Sequence, residues 1–255
     1  MSGIKPNFPS EWADEYPFLP QYKSLACGHA MSYLDEGEGH AVIMVHGNPT
    51  WSFYYRNVVK TLSDRYRCIV PDHIGCGLSD KPGEDEYAFT LEQRIQDLGE
   101  LVDSLGIERF DLVVHDWGGA IGLGMALRRF DKLRRVMILN TAAFTDDRIP
   151  KRIAMCRWPF IGKFLVQGLN GFAWPATWMA VSKRKLPKAI KKAFLFPYAG
   201  WHNRTAVYRF VKDIPMDELH PSWATLKAVE KDLPRLRERD VAIMWGGQDF
   251  CFNGR

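Results

Sequence analysis

Long apolar runs are missing from this sequence. Its opening stretch, "MSGIKPNFPSEWADEYPFLP", puts proline and acidic residues where a secretory leader needs unbroken apolar sequence, and no later segment reaches membrane-span length. Cysteine is sparse: Cys27, Cys68, Cys76, Cys156 and Cys251 are odd in number, scattered, and form no CxxC pair. That argues against a disulfide framework or a zinc site and for a reducing cytoplasm. No lysine/arginine block is interleaved with aromatics and the net charge is only +4, so a nucleic-acid partner lacks its electrostatic footprint. Internal repeats and low-complexity tracts are absent too. What is present is 255 residues of ordinary globular composition, 46% hydrophobic and 25% charged, enough for a substantial core.

Short apolar runs alternate with helix-like patterns, the signature of an α/β protein with a mostly parallel, doubly wound sheet. Strands are expected at 41–45 (AVIMV), 67–71 (RCIVP), 111–115 (DLVVH), 135–140 (RVMILN) and 241–245 (VAIMW), with an antiparallel starter at 30–37. Helical spacing marks 55–64, 91–106 and 120–130. The longest has Thr90 as N-cap, Gln93 three residues on, and Gly106 to close it. After Asn140 the rhythm breaks into aromatic-rich, helix-like sequence without a convincing strand. The expected organisation is a first core part (1–140), an inserted helical cap (141–215) and a second core part (216–255).

The stretch "DLVVHDWGGAIG", Asp111 to Gly122, reads as strand, sharp turn, helix. That is the shape of a nucleophile elbow, with Gly118 and Gly119 small enough for strand and helix to pack closely. The tip holds Asp116 where a hydrolase usually places serine. A carboxylate is already ionised at neutral pH, so it attacks a saturated carbon or strained ring without a general base. Halide displacement, epoxide opening and β-lactone opening all fit. A helix N-cap is the plain alternative for Asp116. The loop "HGNPTW" (46–51) and the loop "WGGQDF" (245–250) also end strands, where open parallel sheets bind ligands. Asp249 in the latter is the candidate acid that orients a histidine, its plain alternative being an Asx-turn. His46, Asp72 and Asp80 read as loop-shaping residues.

With "HGNPTW", "PDHIGCGLSDKP" (71–82), "VHDWGGAIG" and "WGGQD" in this order, the chain resembles the α/β hydrolases of the haloalkane-dehalogenase-like branch over about residues 28–255. The resemblance implies Asp116 as nucleophile, Asp249 as its distant acid, and Asn48 and Trp117 as the residues whose N–H groups hold a leaving group or oxyanion. Trp51, Trp174 and Trp178 are expected in the substrate pocket, and no metal or organic cofactor is called for. "HGNPTWSFYYR" (46–56) with "WGGQDFCF" (245–252) is most similar to the β-lactone decarboxylases of bacterial long-chain olefin biosynthesis, which implies a dialkyl β-lactone substrate giving a cis-alkene and carbon dioxide. Haloalkane dehalogenase is the second reading, and epoxide hydrolase, with Tyr198 or Tyr208 as acid, the third. A non-catalytic binder of small hydrophobic ligands is the fourth.

All seven histidines precede Asp249, so the base that this family places after the acid is missing, together with a final strand and covering helix. The expectation is a shortened copy of a longer enzyme, by natural truncation, frameshift or an engineered cut. Such a chain would be inactive in full turnover and would leave an apolar sheet edge exposed. Residues 182–194 space Leu186, Ile190 and Phe194 on one helical face with lysines opposite, a pattern that fits a peripheral membrane or a biosynthetic-enzyme partner, or equally a solvated outer face.

Overall fold

The computed structural model describes residues 8–146, 148–181 and 183–252. Seven strands form one sheet in the order β1-β2-β4-β3-β5-β6-β7. They are β1 (Gln21–Ser24), β2 (Ala30–Glu36), β3 (Ala41–Val45), β4 (Arg67–Pro71), β5 (Phe110–Asp116), β6 (Leu133–Thr141) and β7 (Asp240–Met244). β1 and β2 are antiparallel to their neighbours, and β4, β3, β5, β6 and β7 run parallel. Every strand expected from sequence is present. The additional β1, polar and largely exposed, has no apolar alternation that would reveal it.

β3 sits in the middle with all five residues buried, and its side chains alternate between two cores. Ala41, Ile43 and Val45 join α3 (Leu91–Ser104) and α4 (Trp117–Leu127) on one face; Val42 and Met44 join α1 (Ser10–Ala13) and α2 (Arg56–Leu62) on the other. The α3 N-terminus is capped as expected: the Thr90 side chain accepts from the Gln93 N–H at 3.3 Å, and Gly106 follows with φ +63°.

Between β6 and β7 the described residues form helices only. α5 (Lys151–Cys156), α6 (Ile161–Lys163), α7 (Ala173–Met179), α8 (Lys188–Leu195) and α9 (Thr205–Lys212) precede α10 (Trp223–Asp232). α5, α7 and α9 share a small core of their own with Val166 and Tyr198. Arg94 ties this region to the sheet layer: its fully buried guanidinium contacts Asp213 at 3.2 Å and lies 3.8 Å from the Phe210 ring centre.

α8 corrects the expectation for residues 182–194. Ile190 is buried and Leu186 and Phe194 are packed beside it, all against Trp12, Trp51 and Phe53, and Lys192 pairs with Glu11 at 2.7 Å. The apolar face that an interfacial helix would bury in lipid is therefore inside the protein, and only the lysine side faces water.

At the sheet margin, β7 is exposed along its whole length, with Val241, Ile243 and Met244 in solvent. Among the described residues no helix is long and apolar enough to cross a membrane.

Candidate active site

Asp116 ends β5 with φ +53° and ψ −130°, a conformation that costs a non-glycine residue energy and survives only when its surroundings over-determine it. Those surroundings are tight. A Cβ at Gly47 would overlap the Asp116 carboxylate, and one at Gly119 would overlap the Thr141 hydroxyl, which donates to the Asp116 carbonyl. The elbow is real, and the glycines around it are steric necessities. The Asp116 side chain makes no cap hydrogen bond to α4's later turns, so the N-cap alternative falls away.

The carboxylate is gripped by backbone. The Asn48 N–H donates to Asp116 Oδ1 at 2.6 Å, and the Trp117 N–H also donates to the carboxylate. Burial nevertheless pushes the Asp116 carboxyl up to about 7, with the charge of Asp249 adding and the two N–H groups opposing. An aspartate that attacks in its ionised form would form its ester more slowly as pH drops through 7. We expect ester formation to be about tenfold slower at pH 6 than at pH 8, measured by single-turnover quench. A flat profile over that range would show that Asp116 is fully ionised throughout.

Asp116 opens into a cavity of about 540 Å³, lined mostly by apolar side chains of α5, α7 and the 250–252 loop. Asn48, Asp116 and Asp249 lie on its wall, so three loops distant in sequence do converge. Asp249 keeps both geometries offered by sequence. Its Oδ1 closes an Asx-turn by accepting from Cys251 and Phe252 at 2.7 and 2.9 Å, while the residue faces the cavity and its charge acts on Asp116. The loop is pinned by Asn140, whose amide accepts from the Gly246 N–H at 2.8 Å and donates to its carbonyl at 3.1 Å.

Other expected residues fall elsewhere. Trp51 is fully buried in the core, its indole donating to the Ala193 carbonyl, and does not reach the cavity. Trp174 stands on the surface outside the lining, whereas Trp178 lines it. The Asn48 side chain donates to the Val207 carbonyl at 3.2 Å, leaving its buried Oδ1 without a partner, and the Trp117 ring leans on Phe210 outside the cavity wall. One N–H of the Asn48 amide is thus spent on Val207, and the backbone N–H groups of Asn48 and Trp117 grip the Asp116 carboxylate. Tyr198 donates to the Thr50 carbonyl, and neither it nor Tyr208 lines the cavity.

His46, Asp72 and Asp80 are structural. Nε2 of His46 accepts from the His73 N–H, so Nδ1–H donates to the Gly47 carbonyl and fixes the 46–51 loop. Asp72 accepts from Ser52 and Leu78, and Asp80 from Ala30.

Two cavity residues escape a reading of motifs. Tyr54 and His115 stack with ring centres 4.6 Å apart and planes 16° from parallel. Burial, with the charges of Asp116 and Asp249, pushes the Tyr54 phenol up to about 12, and its hydroxyl has no hydrogen-bond partner among the described residues. Burial pulls His115 down to about 4 against the influence of Asp249, so its imidazole is neutral, with Nδ1 buried and unpartnered. The adjacency of His115 to Asp116 was the available signal, and Tyr54 sits six residues after Asn48, in the helical turn that follows the 46–51 loop.

A buried aspartate on an elbow, cradled by the N–H of its successor and of a second loop, agrees with what comparison finds: residues 40–174 match the model of the α/β hydrolase fold. The chain belongs to the α/β hydrolase fold family. Within this family it is 45% identical over 230 residues to a cis-3-alkyl-4-alkyloxetan-2-one decarboxylase of Shewanella oneidensis, covering 89% of this chain and 72% of that protein. A haloalkane dehalogenase of Mycobacterium bovis is 40% identical over 245 residues, covering 93% and 80%. Among solved structures, the haloalkane dehalogenase of Bradyrhizobium elkani superposes with a TM-score of 0.77 over 89% of both chains at 22% identity, a likeness of fold.

Proposed function

We propose that this α/β hydrolase is a β-lactone decarboxylase, in which Asp116 opens a cis-dialkyl β-lactone through a covalent ester and releases a cis-alkene and carbon dioxide. The ring named in its relatives is the substrate class. The observation that carries the reading is a backbone-held carboxylate that opens into a mostly apolar cavity.

One oxygen of Asp116 attacks the ring carbon that bears the ring oxygen. The ring C–O bond breaks and leaves a carboxylate two carbons along. Loss of carbon dioxide then drives its electron pair into a C=C bond, and the bond to Asp116 breaks, regenerating the carboxylate. Attack inverts the carbon, and departure of the two groups from opposite sides makes a cis lactone yield a cis-alkene. Water and added protons are not consumed. The apolar lining strips water from the new carboxylate, which favours its loss as carbon dioxide. The Asn48 and Trp117 N–H groups stabilise Asp116 both as nucleophile and as leaving group.

The hydrolytic route of a dehalogenase needs more, because water must cleave the ester and a base must activate it. His115, held neutral by burial at about 4 and stacked on Tyr54, is a weak base for that step. The reading takes 141–215 as a cap over the cavity between core parts 1–140 and 216–255, and Asp249 as a charge beside Asp116. It requires no cofactor. A reducing cytoplasm suits the five free cysteines.

The test offers a cis-dialkyl β-lactone and a bromoalkane side by side. Continuous alkene from the lactone is expected, with little bromide released from the bromoalkane. Sustained bromide release without alkene would overturn the decarboxylase in favour of the dehalogenase.

A further inference from the structure

The positive charge of this protein is concentrated in the helical segment. Residues 141–215 hold fourteen lysines and arginines against three aspartates, while the rest of the chain holds 20 basic against 27 acidic residues. Large apolar side chains stand in solvent in the same segment. Phe160, held at φ +57° ahead of the one-turn α6, is 90% exposed. On α7, Trp174 and Trp178 lie one turn apart with ring centres separated by 6.2 Å, 56% and 50% exposed. Trp178 also lines the cavity, as do the exposed Arg152 and Met155 of α5, so this edge is the cavity mouth. Just beyond α7, Lys183, Arg184 and Lys185 are exposed, and none forms an ion pair among the described residues.

We propose that the cavity mouth docks on an anionic lipid surface, with the Trp174–Trp178 pair entering the interface and Lys183, Arg184 and Lys185 meeting lipid phosphates. Paired tryptophans backed by basic side chains match the water–lipid boundary, where an amphipathic ring satisfies both sides. Basic residues near such a surface are attracted by its negative potential. An acidic protein surface would answer the charge but leaves the exposed rings unexplained. The arrangement also gives an apolar ligand a route from lipid into an apolar cavity without crossing water. α8 is not the docking element, since its apolar face is buried. The proposal does not depend on the ligand being a lactone.

Vesicle flotation tests it with the whole chain. Binding to phosphatidylglycerol-containing vesicles is expected to exceed binding to phosphatidylcholine vesicles by at least about fivefold at low salt and to fall at high salt. Trp174→Ser, and separately K183E/R184E/K185E, should each cut the bound fraction several-fold with an unchanged thermal midpoint, because all four side chains are exposed. Equal or absent binding to both vesicle types would overturn the proposal and leave an acidic protein as the occupant. So would variants that fold and bind like the parent.

Discussion

Asp116→Asn should abolish alkene formation from a dialkyl β-lactone, lowering kcat/KM by at least about 10⁴-fold, and should at the same time make the protein more heat-resistant. The first effect follows because an amide has no anionic oxygen to form the ester. Asparagine keeps the shape, tolerates the positive φ of the elbow, and its oxygen can still accept from Asn48 and Trp117. The second effect follows from linkage. The folded protein holds the Asp116 proton up to about pH 7, whereas an unfolded aspartate releases it near 4. Stability contributed by that proton is full below the unfolded value and is lost as pH rises through the folded one. At pH 8 the parent therefore carries a buried charge that the variant lacks. A rise in Tm of roughly 5–10 °C at pH 8, shrinking towards pH 4, is expected by calorimetry. An asparagine variant that makes alkene at the parental rate would remove Asp116 from the chemistry.

Tyr54→Phe should lower kcat for the lactone by about 10²-fold, the usual cost of losing one donor to a developing oxyanion, with little change in KM. Its hydroxyl is protonated at any physiological pH, has no hydrogen-bond partner among the described residues, and lies within the electrostatic reach of both cavity carboxylates. As the ring C–O bond breaks, negative charge grows on an oxygen inside a mostly apolar space, and Tyr54 is a neutral donor on its wall. His115 fixes the phenol ring by stacking. Because the hydroxyl makes no hydrogen bond among the described residues, Tm should stay put, which separates a chemical role from a structural one. Retention of kcat within about twofold would exclude Tyr54 as donor.

Much of this was legible in sequence where one local pattern dictates one geometry. Buried parallel strands read as apolar runs, Thr90 with Gln93 marks a helix start, and glycines flanking Asp116 mark a turn too tight for a Cβ. Convergence of Asn48, Asp116 and Asp249 follows from strand order, because β3, β5 and β7 end on the same side of a parallel sheet. Side-chain aim was not legible. Trp51 and Trp174 are aromatic in the right neighbourhoods, yet one turns into the core and the other out to solvent, since long-range packing and not local spacing sets χ1 and χ2. Tyr54 was hidden for the same reason: nothing in "SFYYR" says which tyrosine faces the cavity, and Tyr55 instead donates to the Val45 carbonyl. The basic amphipathic α8 shows that an apolar face needs a partner but does not say which one.

The two acidic groups of the cavity also rest on ground of unequal firmness. Asp116 hangs from β5, flanked on both sides by paired strands, while Asp249 follows β7, a border strand with a neighbour on one side and solvent on its faces. Borders open first when a protein is warmed or mildly denatured. Amide protons of 240–249 should therefore exchange well before those of 110–116. Over that interval Asp116 would lose its electrostatic companion while staying buried, so its acidity would change little, because burial and not Asp249 is the main cause of its shift.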